Sequence, residues 1–393
     1  MWNLFRILNL VMYFMTSFVW WSFSLPLNAT VAVLDVLMLV CLYFNPKKYI
    51  IFKNIPVILT VIILLSALSA YTIGPSYGLS NFFVYLPVLM LYALKPEWKA
   101  DLLSYITKWF SIILGISLFV YLLAITGIIP PIGRFVAGDL SYPPYENYIF
   151  FIKTRGFHAF YRFNGPFLEP GHLSMIVAIL LYANKYDFKN NRYLWVLLVT
   201  IVLSFGLAGY VITIIGFLMI KLKSIRNVVI LSVVSFVSVY VVTDLWNDGD
   251  NPVNILIFER LQYDEKKGIA GNNRTVPATD KLFSTSSKYG ELWLGLGKDG
   301  INNSSIKGAG FKIYLLKNGI IATMLVFCLY WLLMPRKCDK RYAYSFLVLM
   351  TLIFLQRAYP SWYTWLLPYI LGIGVTQKYV AKKRFLLIKS LMH

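Results

Sequence analysis

Ile55-Pro-Val-Ile-Leu-Thr-Val-Ile-Ile-Leu-Leu-Ser-Ala-Leu-Ser-Ala-Tyr-Thr-Ile73 runs nineteen residues without a charged side chain. A helix gains about 1.5 Å per residue and a bilayer's hydrocarbon core is about 30 Å thick, so the run reads as a membrane span. Comparable apolar runs recur along the whole chain. Of 393 residues, 59% are hydrophobic and 14% are charged, and the mean hydropathy is +0.66. A soluble globular chain carries about 25% charge. The sequence therefore predicts an all-α integral membrane protein, a single polytopic domain over residues 1–393. About twelve transmembrane helices are expected, near 4–24, 29–46, 55–73, 80–95, 108–128, 171–184, 193–207, 209–222, 227–245, 313–334, 342–357 and 360–377.

The formal net charge of +20 would suit a nucleic-acid partner if it were spread over one face. It is gathered instead in alternate loops: Lys47, Lys48 and Lys53; Lys95, Lys99 and Lys108; Lys185, Lys189 and Arg192; Lys221, Lys223 and Arg226; Arg336, Lys337, Lys340 and Arg341; and the C-terminal tail. The short connections between them carry almost nothing apart from Arg357. This asymmetry predicts both termini in the cytoplasm and membrane lipid, not nucleic acid, as the surrounding partner. The first apolar run is long and lacks a small-residue cleavage site, so it is expected to remain as a span. Cys41 and Cys328 lie in apolar runs and Cys338 in a basic loop, which is no disulfide framework.

Two connections, 130–170 and 246–312, are long and fall on the outer side in this topology. Long loops are usually functional. The second holds about as many acids as bases and is expected to fold as a polar cap. The first is rich in aromatic residues, among them Tyr142, Tyr145, Tyr148, Phe150, Phe151, Phe157, Phe160 and Tyr161. Such rings stack on sugars or, more simply, sit in the interfacial belt.

The first long loop ends in Arg162-Phe-Asn-Gly-Pro-Phe-Leu-Glu-Pro-Gly-His-Leu-Ser-Met175, which places an arginine, a carboxylate, a Pro-Gly break and a histidine at the mouth of an apolar helix. Charge at membrane depth costs roughly 2.5–3.5 kcal/mol per group, so the cluster suggests ligand chemistry. An N-capping acid and a snorkelling arginine are the simpler account. Asp35 lies inside the second predicted span, near enough to its outer end to reach water. Asp248-Gly-Asp250 has the Asp-x-Asp form of a metal-diphosphate chelate. Its neighbours are turn residues and no carboxylate–histidine cluster supports it, so no metal or other cofactor is expected.

Several motifs taken together resemble the O-antigen polymerase (Wzy) family, which belongs with the O-antigen ligases. They are Arg162-Phe-Asn-Gly-Pro-Phe-Leu-Glu-Pro-Gly171 at the end of the first long loop and the small-residue break Leu203-Ser-Phe-Gly-Leu-Ala-Gly209. In the second loop they are Asn273-Arg274 followed by Leu294-Gly-Leu-Gly297, closed by Ile313-Tyr-Leu-Leu-Lys-Asn-Gly-Ile320. About fifty residues carry the likeness in motif. It implies a type C-like glycosyltransferase architecture in the bacterial inner membrane. The implied reaction transfers a glycan from undecaprenyl diphosphate, on the periplasmic side, onto a new lipid-linked repeat unit. A polysaccharide chain-length regulator and a flippase are the partner proteins it implies.

The leaving lipid diphosphate has to be neutralised, and an arginine fork binds phosphate oxygens in pairs. Arg162 and Arg274 match the family motifs. Arg155 and Arg260 are further candidates, Arg260 being separated from Gly271 by ten residues, although either is equally well a solvated loop arginine. Glu169 and His172 are the candidate bases for the acceptor hydroxyl. Burial of Glu169 would bring its carboxyl toward the working pH, as a general base needs, whereas Pro170 behind it suits a plain helix cap. His172 serves equally well in packing. Related ligases carry a histidine in the second loop; here the histidines are His158, His172 and His393, which favours a polymerase over a ligase. Within the enzyme class the alternative is an O-antigen ligase or capsule polymerase with another acceptor; outside it, a polysaccharide-lipid flippase or other transporter also fits a many-span chain.

Overall fold

Proline opens helix after helix: Pro46, Pro56, Pro75, Pro96, Pro170 and Pro277 each stand in a first turn, where the missing N–H has no partner to lose. In the computed structural model the helices are α1 (Trp2–Met15), α2 (Leu27–Tyr43), α3 (Pro46–Tyr49), α4 (Ile55–Thr72), α5 (Pro75–Ala93), α6 (Pro96–Ile125), α7 (Pro170–Ala183), α8 (Tyr193–Ser204) and α9 (Leu207–Lys221). They continue with α10 (Pro277–Lys288), α11 (Phe311–Leu332), α12 (Lys340–Gln356) and α13 (Tyr363–Leu391). The structure describes residues 1–17, 19–21, 25, 27–51, 54–136, 144–153, 161–221, 240–245, 247, 251, 253–259, 262–264, 268–269, 276–298, 300, 306, 308 and 310–391. For 242, 244, 256–257, 263–264, 268–269 and 378–391 it describes the backbone alone. Two compact units result, Met1–Phe110 with Arg274–His393, and Ser111–Asn273.

The fold is all-α in its bulk, but the expectation of about twelve spans is not met. Among the described residues four helices are long and apolar enough to cross a membrane: α4, α5, α6 and α11. α2, α7, α8 and α9 are apolar but shorter. The 14, 12 and 15 residues of α7, α8 and α9 give lengths of only roughly 18–23 Å at 1.5 Å per residue. Apolar runs of this length are more often buried core helices than spans. In α7 every residue from His172 to Ala183 is buried, so its apolar sequence faces protein on all sides. The expected span at 227–245 lies largely outside the described residues. Over its described residues the structure thus does not have the twelve-span architecture of an O-antigen polymerase. The long apolar helices do make the protein a membrane-associated one. Val33, Val36, Leu37 and Val40 point out of α2 beside buried Leu34 and Met38, an all-round apolar helix of the kind that lipid or other protein must cover.

In the first unit, α4 and α5 form a hairpin across Ile73 and Gly74. A side chain at Gly78 would sit 2.5 Å from Ala70 Cβ, so the helices touch backbone to backbone there, and Asn81 Nδ2 donates to Ser69 Oγ across the pair. Two of the three second-loop motifs meet in this unit. α11 is kinked at Gly319 (φ 82°, ψ 173°), and the kink seats the turn of Leu294-Gly-Leu-Gly297. Leu296 N–H donates to Leu316 O at 2.8 Å, and a Cβ on Gly319 would lie 2.5 Å from the Leu294 carbonyl carbon. Glycine is required on both sides of that contact, since Gly295 is also at positive φ and a Cβ there would be 2.9 Å from Lys317 O. Within the second long connection α10 is a folded element, joined to α11 by Lys312 Nζ on Asp280 at 2.6 Å.

In the second unit the first long connection contains a three-stranded antiparallel sheet, β1 (Gly133–Phe135), β2 (Tyr145–Asn147) and β3 (Ile152–Lys153), in the order β1-β2-β3. A two-residue pair, β4 (Tyr263–Asp264) and β5 (Gly268–Ile269), follows later. The aromatic residues expected to stack on sugars or to form an interfacial belt are partly core residues. Of them, Phe151 is fully buried and Tyr148 nearly so, and the neighbouring motif residue Phe163 is fully buried with them. Tyr121 of α6 meets Phe151 and Phe163 edge-on at 5.1 and 5.4 Å and donates its hydroxyl to Tyr161 O at 2.7 Å. Tyr142, Phe157 and Phe160 lie outside the described residues.

Glu146 ties the three strands. It accepts from Arg134 Nη2 at 3.0 Å and pairs with Lys153 Nζ at 3.4 Å, and the Tyr148 hydroxyl donates to it at 3.3 Å. Partial burial works against its charge, but the charge of Lys153 and the hydrogen bonds of Lys153, Arg134 and Tyr148 together hold its carboxyl below the usual glutamate value. A group depressed in the folded state adds stability above its unfolded pKa and loses it as the pH falls through the folded one. Amide protection at Asn147 and Ile152 is therefore expected to fall as the pH drops below about 4, the ordinary glutamate range, and Glu146→Gln to flatten that dependence. Hydrogen exchange across pH reads both; an acid-independent sheet in the wild type contradicts the assignment.

Candidate functional site

α8 ends at Ser204, Phe205 takes the left-handed conformation (φ 47°, ψ 39°), and α9 begins at Leu207. A helix end leaves its last carbonyls without intrahelical partners, and in apolar surroundings these must be satisfied by something else. Here the partners can be named one by one. Ser204 Oγ donates to Ile201 O at 2.7 Å and the Tyr210 hydroxyl to Val202 O at 2.6 Å. Phe163 N–H donates to Leu203 O at 2.9 Å. Arg162 supplies the last two, Nε to Ser204 O at 2.9 Å and Nη2 to Phe205 O at 2.7 Å. The sequence motifs at 162–171 and 203–209 are therefore one joint, in which the first caps the break made by the second.

Small residues let the joint close. A Cβ on Gly206 would lie 2.1 Å from Ser174 Oγ, and one on Gly209 2.4 Å from Ser174 Cβ, so α7 and α9 meet at van der Waals contact of backbone and a single small side chain. Beyond Arg162 the chain turns at Asn164-Gly165-Pro166-Phe167. Phe167 N–H donates to Asn164 O at 3.0 Å, with Gly165 at φ 54°. Gly165 O in turn accepts from Ile152 N–H at 2.9 Å, which fastens β3 to the turn.

Glu169 follows as the residue preceding α7. Its backbone is extended (φ −127°, ψ 124°), its side chain makes no capping hydrogen bond, and its carbonyl accepts from His172 N–H at 3.1 Å and Leu173 N–H at 3.2 Å. The plain cap is thus not what its carboxylate does. The burial that would lift its carboxyl toward the working pH is not present either, because Glu169 is exposed. His172, one turn on, is fully buried. The two candidate bases share a helical turn but not an environment, and of the two Glu169 is the one in contact with the medium. Arg162 is half-buried and bound to the helix break. Arg155, Arg260 and Arg274 lie outside the described residues, as do Asp248 and Asp250. Among the described residues no three His, Cys, Asp or Glu side chains gather as a metal site.

Sequence reading missed Ser174, Phe205 and Tyr210 as members of the joint. The spacing of Gly206 and Gly209 opposite Gly171 and Ser174 carried the signal for a close helix contact. No family model matches the chain, and no curated protein and no solved structure matches it.

The geometry makes Arg162 a positioning residue with a measurable structural load. Net contributions of hydrogen bonds to charged groups are about 1.5–3 kcal/mol each, so Arg162→Ala is expected to cost about 2–4 kcal/mol, with Arg162→Lys, which can reach one carbonyl, losing about half of that. Denaturant unfolding of the purified protein in detergent measures the difference. An alanine variant within about 0.5 kcal/mol of the wild type removes Arg162 from the joint.

Proposed function

We propose that the protein is a membrane glycosyltransferase that elongates a glycan carried on a lipid diphosphate. Its site is the mouth of α7, on the outer face of the bacterial inner membrane with both termini in the cytoplasm. The single observation that carries the reading is Glu169, an exposed carboxylate at the head of a wholly buried apolar helix, held there by the Arg162 joint. The motif likeness to the polymerase family supports the substrate class, undecaprenyl-diphosphate-linked repeat units, with a chain-length regulator and a flippase as partner proteins.

In this reading the acceptor's sugar hydroxyl attacks the anomeric carbon of the lipid-linked glycan. The new glycosidic C–O bond forms as the bond from that carbon to the diphosphate oxygen breaks. The leaving diphosphate takes the electron pair, and Glu169, covered by the bound substrate in this reading, takes the hydroxyl proton. Arg162 fixes the loop, and Arg274, Arg155 and Arg260 are the diphosphate candidates on the sequence alone. His172 supports α7 from within.

Glu169→Gln keeps shape and hydrogen bonding but removes the proton acceptor. Chain elongation by the purified variant on a lipid-diphosphate-linked repeat unit is expected to fall at least about 10²-fold in initial rate, with unchanged thermal stability. A fully active glutamine variant removes Glu169 as the base.

A second reading is favoured by Asp35. It is fully buried in α2 instead of reaching water, and neither carboxylate oxygen has a hydrogen-bond partner among the described residues. Tyr363, whose hydroxyl donates to Asn9 Oδ1, lies within its electrostatic reach. An ionisable group inside an apolar helix commonly marks an ion or proton path, which belongs to a transporter of lipid-linked glycans rather than to a transferase. Under the transferase reading Asp35→Asn elongates glycan at the wild-type rate in detergent; loss of lipid-linked glycan translocation in vesicles, with elongation absent from the wild type, favours the transporter.

A further inference from the structure

The connection after α2 is braced against the end of α5 and the start of α6. Ile51 N–H donates to Ala93 O at 2.7 Å, Lys95 N–H to Tyr49 O at 2.8 Å, and Trp98 Nε1 to Lys48 O at 3.0 Å. Behind this brace lies a cavity of about 130 Å3 whose polar lining is Asn54, Tyr92, Lys99, Arg336, Lys337 and Gln377. Among the described residues its lining holds three cations and no carboxylate. All its walls belong to the first unit.

Lys99 is the unusual member. It is 3% exposed, and its stem runs so close to α13 that a Cβ on Gly374 would lie 2.3 Å from Lys99 Cδ. One hydrogen bond is given to Tyr92 O at 2.8 Å, and the ammonium stands 5.2 Å from the Tyr92 ring centroid. An ammonium has three donors, and among the described residues no carboxylate pairs with Lys99, Arg336 or Lys337. A buried lysine without a counter-ion is costly, whereas two exposed cations at the rim of the same cavity make the field worse for it. An anion in the cavity reverses both terms, and the amides of Asn54 and Gln377 add neutral donors.

We propose that this cavity is a binding site for a phosphate group, with Lys99 at its floor and Arg336 and Lys337 at its mouth. The lysine-rich loops that form it belong to the side the positive-charge rule assigns to the cytoplasm. The phosphate is therefore either that of an anionic phospholipid of the inner leaflet or that of a soluble phosphate, both of which offer the same oxygens to the same donors. The site shares no residue with the mouth of α7 and does not rest on the transferase reading.

The test uses the full chain purified in detergent. Binding of phosphatidylglycerol, with phosphatidylcholine as the control, is followed by native mass spectrometry, and binding of inorganic phosphate by phosphorus NMR line broadening. The Arg336→Gln/Lys337→Gln double variant changes only exposed side chains and is expected to bind roughly tenfold more weakly than the wild type. Lys99→Met is expected to lose the site altogether; should it not fold, the double variant decides alone. Preference for phosphatidylglycerol without phosphate broadening makes it a lipid headgroup site, and phosphate broadening that the double variant loses makes it a site for soluble phosphate. Either supports the proposal. Neither probe bound above the phosphatidylcholine control, or equal binding by wild type and double variant, overturns it.

Discussion

A helix broken inside apolar surroundings must have its carbonyls answered, and the second unit is organised around that requirement. The carbonyls of 201–205 accept from Ser204, Tyr210, Phe163 and Arg162, each at 2.6–2.9 Å. Leaving one buried acceptor unpaired costs about 1–3 kcal/mol, so a break that left several open would not persist. Arginine is suited to the task because its planar fork reaches two adjacent carbonyls at once and never loses its charge. Once Arg162 and Phe163 are fixed, the turn at Gly165, the attachment of β3 through Ile152 and the head of α7 are fixed with them. Glu169 is exposed at a defined place because of a hydrogen-bond debt one helix away.

Arg162-Phe-Asn-Gly-Pro and Leu203-Ser-Phe-Gly-Leu-Ala-Gly209 were legible as important, but their relation was not. Read one at a time, an arginine at a membrane surface suggests phosphate, whereas the structure shows it donating to Ser204 and Phe205. Nothing local in the sequence says that residues some forty positions apart meet. The same holds for Leu294-Gly-Leu-Gly297 and Gly319, which press backbone on backbone. In both pairs a packing requirement is enough to demand the glycines, so motif and chemistry are separable here.

The membrane character was written in composition, and four long apolar helices carry it. The number of spans was not, because hydropathy sums residues and does not see where a backbone breaks. α7, α8 and α9 are as apolar as spans but end at 14, 12 and 15 residues. α7 owes its apolar sequence to enclosure by protein on every side. The aromatic residue Phe151 was misread for the same reason: burial against Tyr121 and a place at a lipid interface both select a large apolar ring. Asp35, expected near water, is buried because α2 turns it inward with Leu34 and Met38.

The central claim, that Arg162 locks the broken helix to the loop leading into α7, is tested most directly by native-state hydrogen exchange on Arg162→Ala. The amides of Phe163, Phe167 and Ile152 bond to Leu203 O, Asn164 O and Gly165 O. They should lose protection together, while the amides of α4 in the other unit keep theirs. Wild-type protection at Phe163 and Ile152 in that variant would contradict the account.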